Sequence, residues 1–395
     1  MKLITMILLF ACVVVASPPL SRLMLDSLKT RLQGIATSGA SSSTLESAVL
    51  AQAIQALMAQ YPSSSPPGSG PDNDDYFLGA VLDLASVPFT DPDRAKDWPL
   101  DRFALATAID RAIRDGRTPV SPAAMRATRA IAASLPLQRR NPDGGLWYYH
   151  AYPQWSYLDG IFAVLPFMAE SPGRNESDME LQLALMQKHC DIPSARPMLV
   201  HGYDWSRTAP WADVRTGAST HVWGRSLGWL LVGIIETWEL LGCVPGDASR
   251  PLCRRLPSLA QQMADSLVSF VDAETGVWRQ LTVLSPNFGN YLESSSTALF
   301  IFALLKARRL RMLLPGHPYY RKVARRAYNY IVDCFVTYHP INNSTIGYDR
   351  TVSVCSLNST ASFDYYVSQP IVANSLLGEA AFILASLEME RDVRD

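Results

Sequence analysis

The chain has 395 residues, with 35 Lys plus Arg against 36 Asp plus Glu and a formal charge of −1. Hydrophobic residues make up 48% and charged residues 18%, which excludes disorder over most of the length and leaves enough apolar material for a large core. A near-neutral balance with no basic block argues against nucleic acid and against electrostatic docking on a membrane.

The N-terminus reads as an export signal. Lys2 precedes a mostly apolar run from Leu3 to Ala16, with small residues at its exit, and the run is too short to span a bilayer. Residues 1–16 are therefore expected to be removed, leaving a secreted, extracellular domain over 17–395. Four glycosylation sequons, at Asn175, Asn342, Asn343 and Asn358, fit that compartment. The mature chain keeps five cysteines. Their spacing suggests local disulfides Cys243–Cys253 and Cys334–Cys355, with Cys190 free.

Thr44 to Tyr61 places Leu45, Val49, Leu50, Ile54, Leu57 and Met58 at three-to-four spacing, the pattern of an amphipathic helix. A Ser/Pro/Gly run ends it. Helical patterns follow over 76–85, 102–114, 122–134, 157–170, 178–189, 225–241, 256–271, 295–309, 319–337 and 371–390. Extended segments are few, and 278–283 is the best of them. This is an all-α chain, read as a single domain. Asn141 to Trp147 and Asp272 to Trp278 share a Gly turn followed by an aliphatic residue and Trp, which suggests repeated hairpins arranged as a toroid.

Eight of the nine Trp lie between Trp147 and Trp278, and four of the six His between His150 and His221. Within that region Asp159 opens an apolar helix, with Trp155 and Tyr157 beside it. Apolar and aromatic neighbours raise a carboxyl pKa, as a general acid working near neutrality requires. Arg225 and Trp229 are i and i+4 on one helical face, a cation beside an indole, which suits a sugar acid. Asp72, Asp74 and Asp75 read first as a helix N-cap. Serine-hydrolase, phosphate-loop and dinucleotide motifs are missing, and no spacing implies a metal or cofactor.

Gly144-Gly145-Leu146-Trp147 with Tyr157-Leu158-Asp159-Gly160, the His201 to Ser206 segment, the Trp223 to Trp229 helix start and Asn290 to Ala298 occur together and in order. In this they resemble the unsaturated rhamnogalacturonyl hydrolases of glycoside hydrolase family 105, relatives of the family 88 unsaturated glucuronyl hydrolases. The resemblance runs from about Asp72 to the C-terminal helix, and 17–71 matches poorly. It implies an (α/α) six-hairpin barrel that acts on oligosaccharides ending in a Δ4,5-unsaturated uronic acid.

In such enzymes an Asp protonates the double bond and water adds, unlike the two-carboxylate chemistry of most glycosidases. Carried over by position, Asp159 would be the catalytic acid and then the base. Asp74 would be the second carboxylate, with Asp75 as fallback. His201, Arg225 and Trp229 would bind the substrate, and Trp223 and Tyr157 would wall it. Tyr148 stands where the family usually has His, and His150 lies two residues on. The expected substrate is a pectin-derived, rhamnogalacturonan disaccharide. The alternatives are another lyase product carrying unsaturated glucuronate, or an inactive toroid that only binds sugar acids.

Overall fold

The computed structural model describes residues 18–35, 39–62, 70–192, 198–247, 249–284, 289–314, 319–339 and 345–394. The expected signal peptide and the sequons at Asn342 and Asn343 lie outside them. The first helices are α1 (Leu20–Thr30), α2 (Ser43–Gln60), α3 (Asn73–Ser86), α4 (Pro92–Ala95), α5 (Arg102–Asp115), α6 (Pro122–Ser134), α7 (Asp159–Glu170) and α8 (Glu176–Cys190). The later ones are α9 (Gly224–Leu240), α10 (Pro251–Ser269), α11 (Ser294–Arg309), α12 (Tyr319–Cys334), α13 (Phe363–Val367) and α14 (Leu376–Asp392). Short strands form three two-stranded pairs: β1 (Trp155–Tyr157) with β2 (Gly202–Asp204), β3 (Val336–Tyr338) with β4 (Ile346–Tyr348), and β5 (Thr351–Val352) with β6 (Ile371–Val372).

Six helices make an inner ring. α2, α5, α7, α9, α11 and α14 pack side by side in that order, and α14 returns to α2. Outside them α3, α6, α8, α10 and α12 each pack on the inner helix that precedes them in the chain, and α1 packs on α14. The first and last helices thus supply the sixth pair of an all-α toroid.

For α7 and α12 the sequence explains which helix goes inside. A helix that is apolar around its whole circumference must be buried on all sides. α7 is such a helix, with Asp159 to Ala169 all buried. α12 instead carries a single buried stripe of Tyr320, Val323, Ala324, Ala327, Tyr328 and Ile331, and lies outside. Close approach inside the ring needs glycine at Gly233, where an added Cβ would sit 2.8 Å from the Ile161 carbonyl oxygen of α7.

Local chemistry sets the helix ends. Asp72 and Asp75 form a reciprocal capping box on α3, Ser121 caps α6 ahead of Pro122, and Gly116 ends α5 in the left-handed region at φ 70°. The two Gly turns noted in the sequence are real counterparts. Gly144 bonds back to the Asn141 carbonyl and Gly276 to that of Asp272, each on the way from an outer helix to the next inner one.

Four expectations need correction. Tyr157 is in β1 rather than α7, because its backbone pairs with Gly202. Residues 278–283 form only isolated bridges, Trp223 with Leu281 and Arg279 with Leu292. Residues 371–372 belong to β6, and α14 starts at Leu376. Cys243 and Cys253 are joined, but Cys334 and Cys355 are not. Cys334 is exposed at the end of α12, whereas Cys355 is buried, with its sulfur 3.4 Å from Gln280 Nε2. Cys190 is free and buried.

Candidate active site

The inner helices begin at one end of the ring, and there the chemistry gathers. One cavity is lined by Asp101 before α5, Asp159 at the start of α7, Trp223 just before α9, Arg225 and Trp229 on α9, and Tyr148, Tyr149 and Tyr157 from the segment leading into α7. Ser42 before α2 and Leu377 of α14 complete the rim. Helix N-termini carry partial positive charge, so acidic groups and anions are favoured at this end of the ring.

Asp159 is held from one side of its carboxylate. Oδ2 accepts a short bond from the Ser226 hydroxyl of α9 and lies 3.5 Å from His201 Nε2. His201 is completely buried. Its Nδ1 shares a 2.8 Å hydrogen bond with the Tyr366 hydroxyl, while Nε2 has no hydrogen-bond partner among the described residues. Rings of Tyr157 and Trp223 pack on it at 5.3 and 4.7 Å. The imidazole is therefore fixed, with a free nitrogen facing the carboxylate.

The β1–β2 pair makes this geometry possible. It ties the segment before α7 to the one that carries His201, and the Leu158 N–H donates to the His201 carbonyl at 3.0 Å.

The same cavity holds a second carboxylate, Asp101, which carries no local mark in the sequence. The hydroxyl of Tyr148 donates to Asp101 Oδ1 at 2.6 Å, and the Tyr148 ring stacks on Tyr157 at 4.6 Å. Burial pushes the Asp101 carboxyl up to about 7. The Tyr148 bond opposes that rise, and the charge of Asp159 adds to it. Burial likewise drives the Tyr148 hydroxyl well above its usual range, so it remains a donor.

Arg225 is buried beneath the cavity. Nη1 donates to the Val352 carbonyl at 2.6 Å and to Ser295 Oγ at 3.3 Å, and Nη2 donates to the Ser353 carbonyl at 2.5 Å. Its guanidinium stacks 4.9 Å from the Trp223 ring, and Nε donates to none of the described residues. Trp229 lies one turn further on, with its indole N–H buried and unpartnered among the described residues. Trp223 Nε1 is instead committed to Gln280 at 3.2 Å. The 290–297 segment serves Arg225 from below. Glu293 caps α11, accepts from Ser295, Ser296 and the Val352 N–H, and so fixes the strand whose carbonyls hold the guanidinium.

The structure therefore brings together Asp159, His201, Arg225, Trp223, Trp229, Tyr148 and Tyr157. It does not bring Asp74. That carboxylate takes a short bond from Arg22 and a 2.6 Å bond from Lys29, both on α1. Burial would raise its pKa, but the two cations prevail and hold it below the usual range. The neighbouring Asp75 is bonded by Thr118, beyond the C-terminal end of α5, whereas Asp101 stands before that helix's start. At 1.5 Å per residue those ends are roughly 20 Å apart. The second carboxylate of the site is Asp101. His150 also lies elsewhere, 3.8 Å from Asp97. Trp155 packs against Tyr152 and Trp211 rather than lining the cavity.

Asn175 and Asn358 are exposed, and each side chain is already engaged, Asn175 as the α8 cap and Asn358 with Tyr152. Among the described residues no group of three or more His, Cys, Asp or Glu side chains is placed to hold a metal ion. No helix among them is long and apolar enough to cross a membrane.

Comparisons with known proteins agree with the architecture. Protein Atu3128 of Agrobacterium fabrum is 26% identical over 202 residues, covering 48% of this chain and 81% of its own. A family 105 glycoside hydrolase from C. acetobutylicum superposes with a TM-score of 0.80 at 23% identity, over 95% of this chain and 100% of that one. An unsaturated glucuronyl hydrolase from Bacillus sp. GL1 gives 0.53 at 16% identity, over 90% and 98%. At these identities the solved structures establish the six-hairpin fold. The sequence model of Glycosyl Hydrolase Family 88 matches residues 117–393, well over half of the chain, and the match takes in Tyr148, Asp159, His201, Arg225 and Trp229. The chain is a glycoside hydrolase and belongs to glycosyl hydrolase family 88.

Proposed function

We propose that this protein is a secreted hydrolase that removes a terminal Δ4,5-unsaturated uronic acid from lyase-generated oligosaccharides, those of pectic rhamnogalacturonan first. The observation that carries this reading is the pairing of Asp159 with the unpartnered His201 Nε2 beside a buried Arg225. The indole N–H of Trp229 offers a donor to a uronate carboxylate beside the Arg225 guanidinium, and Trp223 and Tyr157 offer faces to a flat, sp2-containing ring.

In this scheme Asp159 delivers its proton to C4 of the enol ether, and positive charge develops at C5, next to the ring oxygen. The same carboxylate then takes a proton from water as its oxygen bonds to C5. The hemiketal so formed opens, and the bond from C1 to the leaving sugar breaks as that sugar takes up a proton. One acid–base group placed over C4 and C5 suffices, with general acid–base catalysis contributing about 10²–10⁴-fold. Asp101, buried beside Asp159 and bonded by Tyr148, would bind sugar hydroxyls in whichever protonation state it holds. Conjugated unsaturated uronates absorb in the ultraviolet, and hydration removes that absorbance. An assay on a rhamnogalacturonan-lyase digest therefore tests the reading directly, and absorbance unchanged by purified protein would leave the unsaturated-glucuronate and sugar-acid-binding alternatives.

A further inference from the structure

Two donors converge on one oxygen of Asp159. Oδ2 takes the Ser226 hydroxyl hydrogen and stands 3.5 Å from His201 Nε2. Oδ1 accepts from none of the described residues, although Asp159 lines the cavity. Ser226 has one other acceptor in reach, the His201 carbonyl at 3.5 Å, and its bond to Asp159 is much the shorter. Behind His201 stands Tyr366 of α13. Ser226 and Tyr366 are both fully buried, and neither lines the cavity.

Which ring nitrogen of His201 carries the hydrogen follows from counting donors. Its Nδ1 lies 2.8 Å from the Tyr366 hydroxyl, and this is the one hydrogen bond of that hydroxyl among the described residues. Burial drives the Tyr366 hydroxyl well above its usual range, so it keeps its proton. Suppose Nδ1 held the imidazole hydrogen. The buried phenol would then donate to nothing, and a bare Nε2 would either face an anion or draw the acid's proton to Oδ2. If the phenol instead donates to Nδ1, both groups are satisfied and the imidazole hydrogen sits on Nε2, towards Oδ2. At 3.5 Å the contact is too long for a full hydrogen bond, so Nε2–H acts on Oδ2 through its dipole. Tyr366 is itself anchored. Its carbonyl accepts from Gln280 Nε2 at 3.2 Å, and Gln280 Oε1 accepts from Trp223.

We propose that Tyr366 and Ser226 are positioning residues for Asp159. Tyr366 holds His201 with its hydrogen on Nε2, Ser226 bonds Oδ2 directly, and the transferable proton is thereby confined to Oδ1. It passes from Oδ1 to C4. The charge left on the carboxylate is held at Oδ2 by both donors, and the proton taken from water returns to Oδ1. The use of that proton rests on the function proposed above, whereas the tautomer of His201 does not.

The tautomer is read by 15N NMR of protein labelled at histidine, since a ring nitrogen that carries hydrogen resonates far from a bare one. The His201 signals are those lost in His201→Gln. The wild type should show hydrogen on Nε2 and a bare Nδ1, and Tyr366→Phe, which removes one oxygen, should shift the population towards Nδ1–H. Hydrogen on Nδ1 in the wild type, or a tautomer unchanged in Tyr366→Phe, overturns the proposal whether or not the protein turns over a substrate. Activity is read on a Δ4,5-unsaturated uronosyl disaccharide. Tyr366→Phe and Ser226→Ala should each lower kcat about 10-fold or more with KM within about twofold, the mark of an interaction made in the transition state. Unchanged kcat in both variants, or a loss carried by KM, overturns the positioning role while the reaction stands. No turnover by the wild type overturns the reaction and the positioning role together, and the NMR result still decides the tautomer.

Discussion

The hydroxyl of Tyr148 and the carboxyl of Asp101 are joined by a 2.6 Å hydrogen bond, both groups buried, at the edge of the cavity that holds Asp159. Its consequence is electrostatic. Two carboxyls share an enclosed space, and the one with the phenol beside it is the one whose pKa burial drives to about 7. Tyr148→Phe removes the bond that opposes this rise. The Asp101 pKa should then climb, and the pH–kcat/KM profile should shift upward by up to about one unit, while circular dichroism stays unchanged. A profile that does not move would detach Asp101 from the reaction.

The same shift makes a stability prediction. A carboxyl whose folded pKa lies above its unfolded value binds protons more tightly when folded. Its favourable contribution is complete below about pH 4 and is lost as pH rises through 7. Asp101→Asn cannot ionise, so its melting temperature should gain on the wild type as pH rises from 4 to 8, by a few degrees. A difference independent of pH would contradict the assignment. The neutral amide should also lower activity.

Asp74→Ala separates structure from chemistry. It leaves Arg22 and Lys29 without their shared partner, and both cations keep some exposure, so the cost is set at roughly 1–3 kcal/mol. Urea unfolding should report that loss, while kcat of the folded enzyme stays within about twofold. A collapse of kcat would restore Asp74 to the site.

Arg225→Lys should behave as a disruptive change. Lysine cannot bond the Val352 and Ser353 carbonyls together while also facing a carboxylate. We expect KM to rise at least 10-fold, with a smaller fall in kcat. Unchanged KM would mean that the uronate is bound elsewhere.

Much of the fold was legible because the period of hydrophobic residues, together with Pro and Gly, marks helices locally. Asp159, Arg225 and Trp229 were legible too, because aromatic density and i, i+4 spacing are local properties. Asp101 was not. In sequence, Leu100-Asp101-Arg102 and Asp72 to Asp75 are both acidic residues ahead of a half-apolar helix, and the patterns of α3 and α5, unlike those of α7 and α12, do not tell an inner-ring helix from an outer one. That distinction arises when α5 packs between α2 and α7 while α3 stays outside. The pairing of Cys334 with Cys355 failed for a related reason. Sequence separation says nothing about burial, and one thiol is exposed while the other is buried against Gln280.

In the proposed reaction Asp159 hydrates an unsaturated uronic acid held by Arg225. The most direct measurement is the time course of ultraviolet absorbance of a purified Δ4,5-unsaturated uronosyl disaccharide, with wild-type protein and with Asp159→Asn. The wild type should remove the absorbance and release the leaving sugar, while Asp159→Asn, folded to the same melting temperature within a few degrees, should be slower by about 10²-fold or more. Absorbance that persists with the wild type, or disappears equally fast with Asp159→Asn, would contradict it.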